Sequence, residues 1–208
     1  MIDRRSLLAG AAAWLGASAA VANPDAGAGS DVDLCYKPVS DLLDLFRTRR
    51  LSPVELLQAQ LRRIERYNPA VNAITYRHFD QALAEARESE RRYRDGTARP
   101  LEGITVAVKD EDDRVGWRTT MGSLALKDAP PATENAALID ALEAAGAVLH
   151  IQTTVPEFYL AASASTRAWG TTANPWNLHY SPGGSSSGSA AALAAGFTTL
   201  ATGSDMGG

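Results

Sequence analysis

Ile104-Thr105-Val106-Ala107-Val108 is a short apolar, β-branched run, and Lys109 follows it directly. Runs of this kind form strands buried on both faces. Reading outward, Phe79 to Arg94 is polar with Ala and Leu on one side, and Gly96 is its stop; this predicts a surface helix. On the other flank, Thr133 is positioned to cap a helix through Ala145, ended by Gly146, and Ala147 to Ile151 is the next strand. Ala190 to Ala195 predicts a short helix closed by Gly196, followed by a strand over Thr198 to Thr202. Towards the N-terminus, Val71 to Tyr76 is a short strand. Ser52-Pro53-Val54-Glu55 is a capping box with Pro at the first helical position, opening a helix with Val54, Leu57, Leu61 and Ile64 on one stripe. Leu42, Leu43 and Phe46 place a further helix over Val39 to Arg47. Strand–helix–strand alternation predicts an α/β fold, a sheet with helices on both faces. No fixed-period repeat competes with it.

Composition narrows the function classes. The 208 residues are 45% apolar and 21% charged, as in soluble globular proteins. A formal charge of −4 gives no global field for nucleic acid and argues against a phosphate-tracking binder. Cys35 stands alone, which rules out an intrachain disulfide, and its expected role is that of a small buried hydrophobe. His78, His150 and His179 are too scattered for zinc-ligand spacing.

Residues 1–22 form a separate unit. Arg4-Arg5 precedes an uncharged, Ala-rich stretch from Leu7 to Ala22, shorter than the ~20 residues of a membrane span. Ala20-Val21-Ala22 fits the small-x-small cleavage rule. The paired arginines resemble a bacterial twin-arginine signal, which implies export through that machinery to the periplasm or beyond. Val32-Asp33-Leu34-Cys35 is not a lipoprotein cleavage site, so no stable membrane anchor is expected. Residues 23–36 read as a linker, and 37–208 as the folded portion of the chain.

Two features stand out chemically. Lys109 sits at the end of a buried run, where desolvation favours the neutral amine and lets it act as a base; a strand-end lysine can also simply reach solvent. Ser181-Pro182-Gly183-Gly184-Ser185-Ser186-Ser187-Gly188-Ser189 is embedded between apolar segments and opens a helix, so its N–H groups are positioned rather than free. It is not a Walker loop, because no Lys follows its final Gly. Gly184 to Gly188 matches the α/β-hydrolase nucleophile elbow, but that fold needs a downstream histidine and none follows His179. A serine mechanism without histidine needs another base, and Lys109 is the candidate.

At this point the chain resembles the amidase signature family. Gly103 to Asp110 is similar to its lysine strand, Pro156-Glu157-Phe158 and Asn174-Pro175-Trp176 to two intermediate landmarks, and Ser181 to Ala192 to its Gly/Ser core. Gly203-Ser204-Asp205-Met206-Gly207-Gly208 matches the stretch that leads into the nucleophile. His150 to Thr154 stands where family members often read Gly-Lys-Thr-Asn.

The resemblance implies the family's mixed sheet flanked by helices and a Ser–Ser–Lys triad that hydrolyses a small-molecule amide without metal or organic cofactor. Carried over, the base is Lys109 and the bridging serine is Ser185, joined to Gly184 by a cis peptide bond and within hydrogen-bonding reach of the lysine. The backbone N–H groups of Met206, Gly207 and Gly208 form the oxyanion hole. The nucleophile belongs at the position after Gly208, where the sequence stops, so the resemblance implies an N-terminal portion that is inactive alone. Two alternatives stand beside an exported amidase: a non-catalytic remnant or binding product, and the glutamine-hydrolysing component of the tRNA-dependent amidotransferase, against which the export signal argues.

Overall fold

The computed structural model describes residues 33–162 and 164–205. The signal-peptide reading of residues 1–22, and most of the linker reading, fall outside them. Residues 33–35 form a helical turn with Cys35 buried.

The described elements run in the order α1 (Val39–Arg47), α2 (Pro53–Val71), β1 (Ile74–Arg77), α3 (Phe79–Asp95), β2 (Thr105–Lys109), α4 (Ala137–Ala145) and β3 (Val148–Thr153). A two-residue hairpin, β4 (Ser165–Thr166) with β5 (Gly170–Thr171), precedes α5 (Ser187–Ala194) and β6 (Leu200–Ala201). The main sheet has the order β1-β3-β2-β6. β2 is parallel to both neighbours and β1 runs antiparallel to β3, so the sheet is mixed.

Local chemistry sets the element ends. Ser52 Oγ accepts from Val54 N–H while Glu55 accepts from Ser52 N–H, the reciprocal pair that starts α2. Asn72 (φ 52°) ends α2 in a left-handed cap, so β1 begins at Ile74 rather than Val71. Gly96 (φ 70°) ends α3 as expected, because only a residue without Cβ turns there freely.

The predicted Thr133 cap is corrected: α4 starts at Ala137, with no side-chain cap. The segment before it is claimed by other backbone. Ala132 donates to Trp117 O and accepts from Gly116 N–H, which ties it to the turn at Gly116. Asn135 accepts from Val115 N–H and donates to Asp140 and Glu143. The last strand is also shorter than its sequence run.

Alternate residues of β2 serve the two faces. Ala107 packs with Ile151 against Ile64 of α2 and Ala191 of α5. Val106 and Val108 pack with Leu149 against Ile139 of α4 and Trp117. Burial of such side chains contributes roughly 1.5–3 kcal/mol each for the larger ones. The pairing of β2 with β3 slips by one residue: Val106 faces Leu149 and Ala107 faces Ile151, leaving His150 as the extra residue. Its ring lies against Val106 O (3.2 Å) and Phe197 O (2.9 Å), and burial pushes its pKa down to about 4. The sequence from His150 to Thr154 is thus buried sheet and its exit.

Candidate functional site

β2 delivers Lys109 to the end of the sheet as its last residue, fully buried. Its backbone N–H donates to Thr202 Oγ1 (2.7 Å), and that hydroxyl donates to Asp112 (2.7 Å), locking the strand end to the segment after β6. The side chain then meets the Gly/Ser loop. Lys109 Nζ is 3.0 Å from Ser185 Oγ and 2.6 Å from Ser204 Oγ, and its ion pair with Glu111 spans 3.1 Å. An ammonium has three N–H donors, so these three oxygens match its capacity.

The loop is fixed from below. The Gly184–Ser185 peptide bond is cis. Ser187 Oγ donates to Gly183 O at the start of α5, and Gly188 N–H donates to Thr154 O (2.9 Å). Gly188 has no room for a side chain: a Cβ there would lie 2.3 Å from Thr154 N and 2.7 Å from Ala73 O. Ser186 Oγ donates to Ser204 O (3.3 Å) and accepts from Ser204 N–H (3.2 Å), which holds the two halves of the site together. The hydroxyls of Ser186 and Ser187 are therefore engaged with backbone, away from Lys109.

Ser185 and Ser204 open onto a cleft of ≈ 390 Å³ whose far wall is Tyr159 to Ala162, with Gly184 and Asp205 completing the lining. The wall is built by the turn after Pro156. Phe158 and Tyr159 both have positive φ, and Phe158 N–H donates to Met121 O (2.8 Å). Glu157 accepts from Ser123 Oγ (2.6 Å). The Tyr159 ring centroid is 5.3 Å from Lys109 Nζ, and burial pushes its hydroxyl pKa up. Next to the lysine, Asp110 turns away from the cleft. It accepts from Thr120 through both N–H (2.8 Å) and hydroxyl; burial outweighs these bonds and raises its pKa to about 6.

The structure thus brings Lys109 and Ser185 together across 76 positions of sequence. Met206, Gly207 and Gly208 lie outside the described residues. Ser204 and Glu111 are contacts that motif reading missed. Ser204 stood inside the quoted Gly203–Gly208 stretch, but only the parallel pairing of β2 with β6 shows that it reaches the lysine. Glu111 lay hidden in the acidic run Asp110 to Asp113, which had no assigned role. Asn174 to Trp176 forms a surface turn with Trp176 87% exposed. Among the described residues, no group of three His, Cys, Asp or Glu is placed to hold a metal ion, and no helix is long and apolar enough to cross a membrane.

Comparison with known proteins points one way. The amidase family model matches residues 55–208. A putative amidase, AmiB2, of Mycobacterium tuberculosis is 40% identical over 176 residues, covering 85% of this chain and 38% of that protein. A glutamyl-tRNA(Gln) amidotransferase chain of Methylobacillus flagellatus is 41% identical over 170 residues, 82% of this chain and 34% of its own length. The peptide amidase of Stenotrophomonas maltophilia superposes with a TM-score of 0.73 at 36% identity, covering 79% of this chain and 35% of that one. The chain therefore spans little more than a third of the length of the relatives it matches.

Proposed function

Because the chain belongs to the amidase family, we propose that it carries the base and relay of an enzyme that hydrolyses the C–N bond of a carboxylic amide. The contact that carries this reading is Lys109 Nζ to Ser185 Oγ at 3.0 Å, in a buried setting that opens on a cleft. Neutral Lys109 accepts the proton of Ser185, which takes one from the nucleophile as that attacks the amide carbonyl. A hydroxyl donates and accepts at once, as a relay requires. The proton returns to the leaving amine, and water hydrolyses the acyl-enzyme.

The family motif puts the nucleophilic serine after Gly208, beyond the 208 residues. The oxyanion donors it implies are the backbone N–H groups of Met206, Gly207 and Gly208. The twin-arginine-like pair Arg4-Arg5 supports export to the periplasm, and with it a small-molecule amide rather than a tRNA-linked glutamine reaction.

Expression of the chain from Asn23 to Gly208, beside a form extended through its downstream reading frame, tests the proposal on aliphatic, aryl and peptide amides. Hydrolysis by the extended form, lost on Lys109→Ala or Ser185→Ala, supports it. An immediate stop codon after Gly208 would favour a non-catalytic product. Ammonia release from glutamine alone would favour the amidotransferase-like reading. Fractionation of cells expressing the full chain tests export: a cytoplasmic, uncleaved product refutes it.

A further inference from the structure

We propose that Glu111 is the counter-ion of Lys109: it holds the lysine as an ammonium in the resting site and so governs when that lysine becomes a base. Nζ lies within 3.1 Å of three oxygens, and an ammonium donates to all three. A neutral amine fills the same contacts by donating two N–H groups and accepting one hydroxyl proton, so the choice between the two forms falls to the charge beside the amine. Two of the three acceptors are neutral hydroxyls, and only Glu111 brings negative charge.

An ammonium with no exposure is costly unless it is paired. The other charged groups around it are committed elsewhere or sit further off. Asp110 directs its carboxylate to Thr120, and Asp112 takes the Thr202 hydroxyl. Asp113 follows on the same loop. From the opposing elements come the Tyr159 ring, at 5.3 Å, and Asp205 on the cleft lining. Glu111 also keeps a path to water, with its side chain 16% exposed, whereas Lys109 has none.

This role deepens the amidase reading. The proton on Nζ must leave before Ser185 can pass its own to the amine, and departure yields Lys109–NH₂ with one proton delivered to bulk water. Glu111 opposes that departure, so Glu111 is a positioning residue, acting through Lys109.

The direct test follows the lysine Nζ by ¹⁵N NMR through a pH titration of the 208-residue chain. Lys37, Lys109 and Lys127 are its lysines, so assignment by Lys→Arg replacement is short work. In Glu111→Gln the Lys109 transition is expected to fall by about one pH unit or more, a tenfold change in proton affinity. Glu111→Asp keeps the charge but shortens its reach, and should fall part of the way. An unchanged transition in both variants overturns the proposal. In a catalytically active extended form, the acidic limb of kcat/KM should move to lower pH in Glu111→Gln. A shifted Nζ transition with no amide hydrolysis by any form would leave the counter-ion role standing and remove the amidase reading. A fixed transition with full activity would do the reverse.

Discussion

Lys109 and His150 occupy neighbouring strands of one sheet, and neither has any exposed surface. Burial alone would mark both as unusual. Their partners differ. His150 is the extra residue of a one-residue slip, enclosed between the backbone carbonyls of Val106 and Phe197. Lys109 ends its strand, and its amine meets two hydroxyls and a carboxylate beside a cleft. A polar group fixed by backbone repairs a sheet irregularity. One held by hydroxyl and carboxylate side chains at a strand end, beside a cleft, can exchange protons with a ligand.

The largest expected difference is catalytic. In an active extended form, Lys109→Ala should lower kcat/KM by roughly 10³-fold or more, whereas His150→Asn should stay within about tenfold. Equal losses at both positions would erase the distinction between site and scaffold. Turnover by the 208-residue chain itself would break the assignment differently. Ser204 would then be the residue to mutate first, since its hydroxyl lies 2.6 Å from the lysine amine, while Ser186 and Ser187 face backbone.

The next effect is on stability against pH. The His150 pKa falls from 6.5 in the unfolded chain to about 4 in the fold. Between those values the unfolded chain binds more protons, so this group's contribution, about 3 kcal/mol at neutral pH, is lost as pH falls from 6.5 towards 4. Asp110 rises from 3.8 to about 6. There the folded chain binds more protons, so stability falls by about 3 kcal/mol as pH rises from 3.8 towards 6. The two slopes nearly cancel. Asp110→Asn should expose the histidine slope, and urea titrations at pH 4 and 6 should then differ by about 2–3 kcal/mol, against little difference in the parent from this pair. An equal pH response in parent and variant would sink this account.

Gly188→Ala sharpens the contrast from the packing side. Its Cβ would meet the backbone of Thr154 and Ala73, forcing α5 and the serine loop off the sheet at a cost of about 1–3 kcal/mol. The Lys109 Nζ signal should move while that of the His150 ring stays. The smallest effect is expected at Ser52→Ala, which removes one half of the α2 capping pair and should cost about 1 kcal/mol in thermal or urea unfolding while leaving both buried groups as they are.

The sequence was most readable where local rules decide the outcome. The capping box at Ser52, the glycine stop at Gly96 and the apolar run of β2 each depend on neighbours within a few residues. It was least readable where distant backbone competes. Ala132 is tied by two backbone hydrogen bonds to Gly116 and Trp117, which defeats the local case for a cap at Thr133. In the site, Lys109 and Ser185 were legible through motif resemblance. Ser204 was not, because its reach to the lysine follows from β6 lying beside β2, a pairing that residue types do not encode. Glu111 was obscured by its acidic neighbours, whose carboxylates turn to other partners.

The strand order has a consequence in time. β2 sits between β3 and β6, so the middle of the sheet waits for an element near residue 200. The contacts of Lys109 with Ser185 and Ser204 close loops of 76 and 95 residues. Such closures come late, since their chain entropy is spent before any local contact repays it. During synthesis β1, β2 and β3 can begin to pair while the lysine still lacks its serine partners. Pulse-labelled hydrogen exchange during refolding should therefore find β3 amides protected before those of residues 200–204, and the site should be the last part of the sheet to become solid.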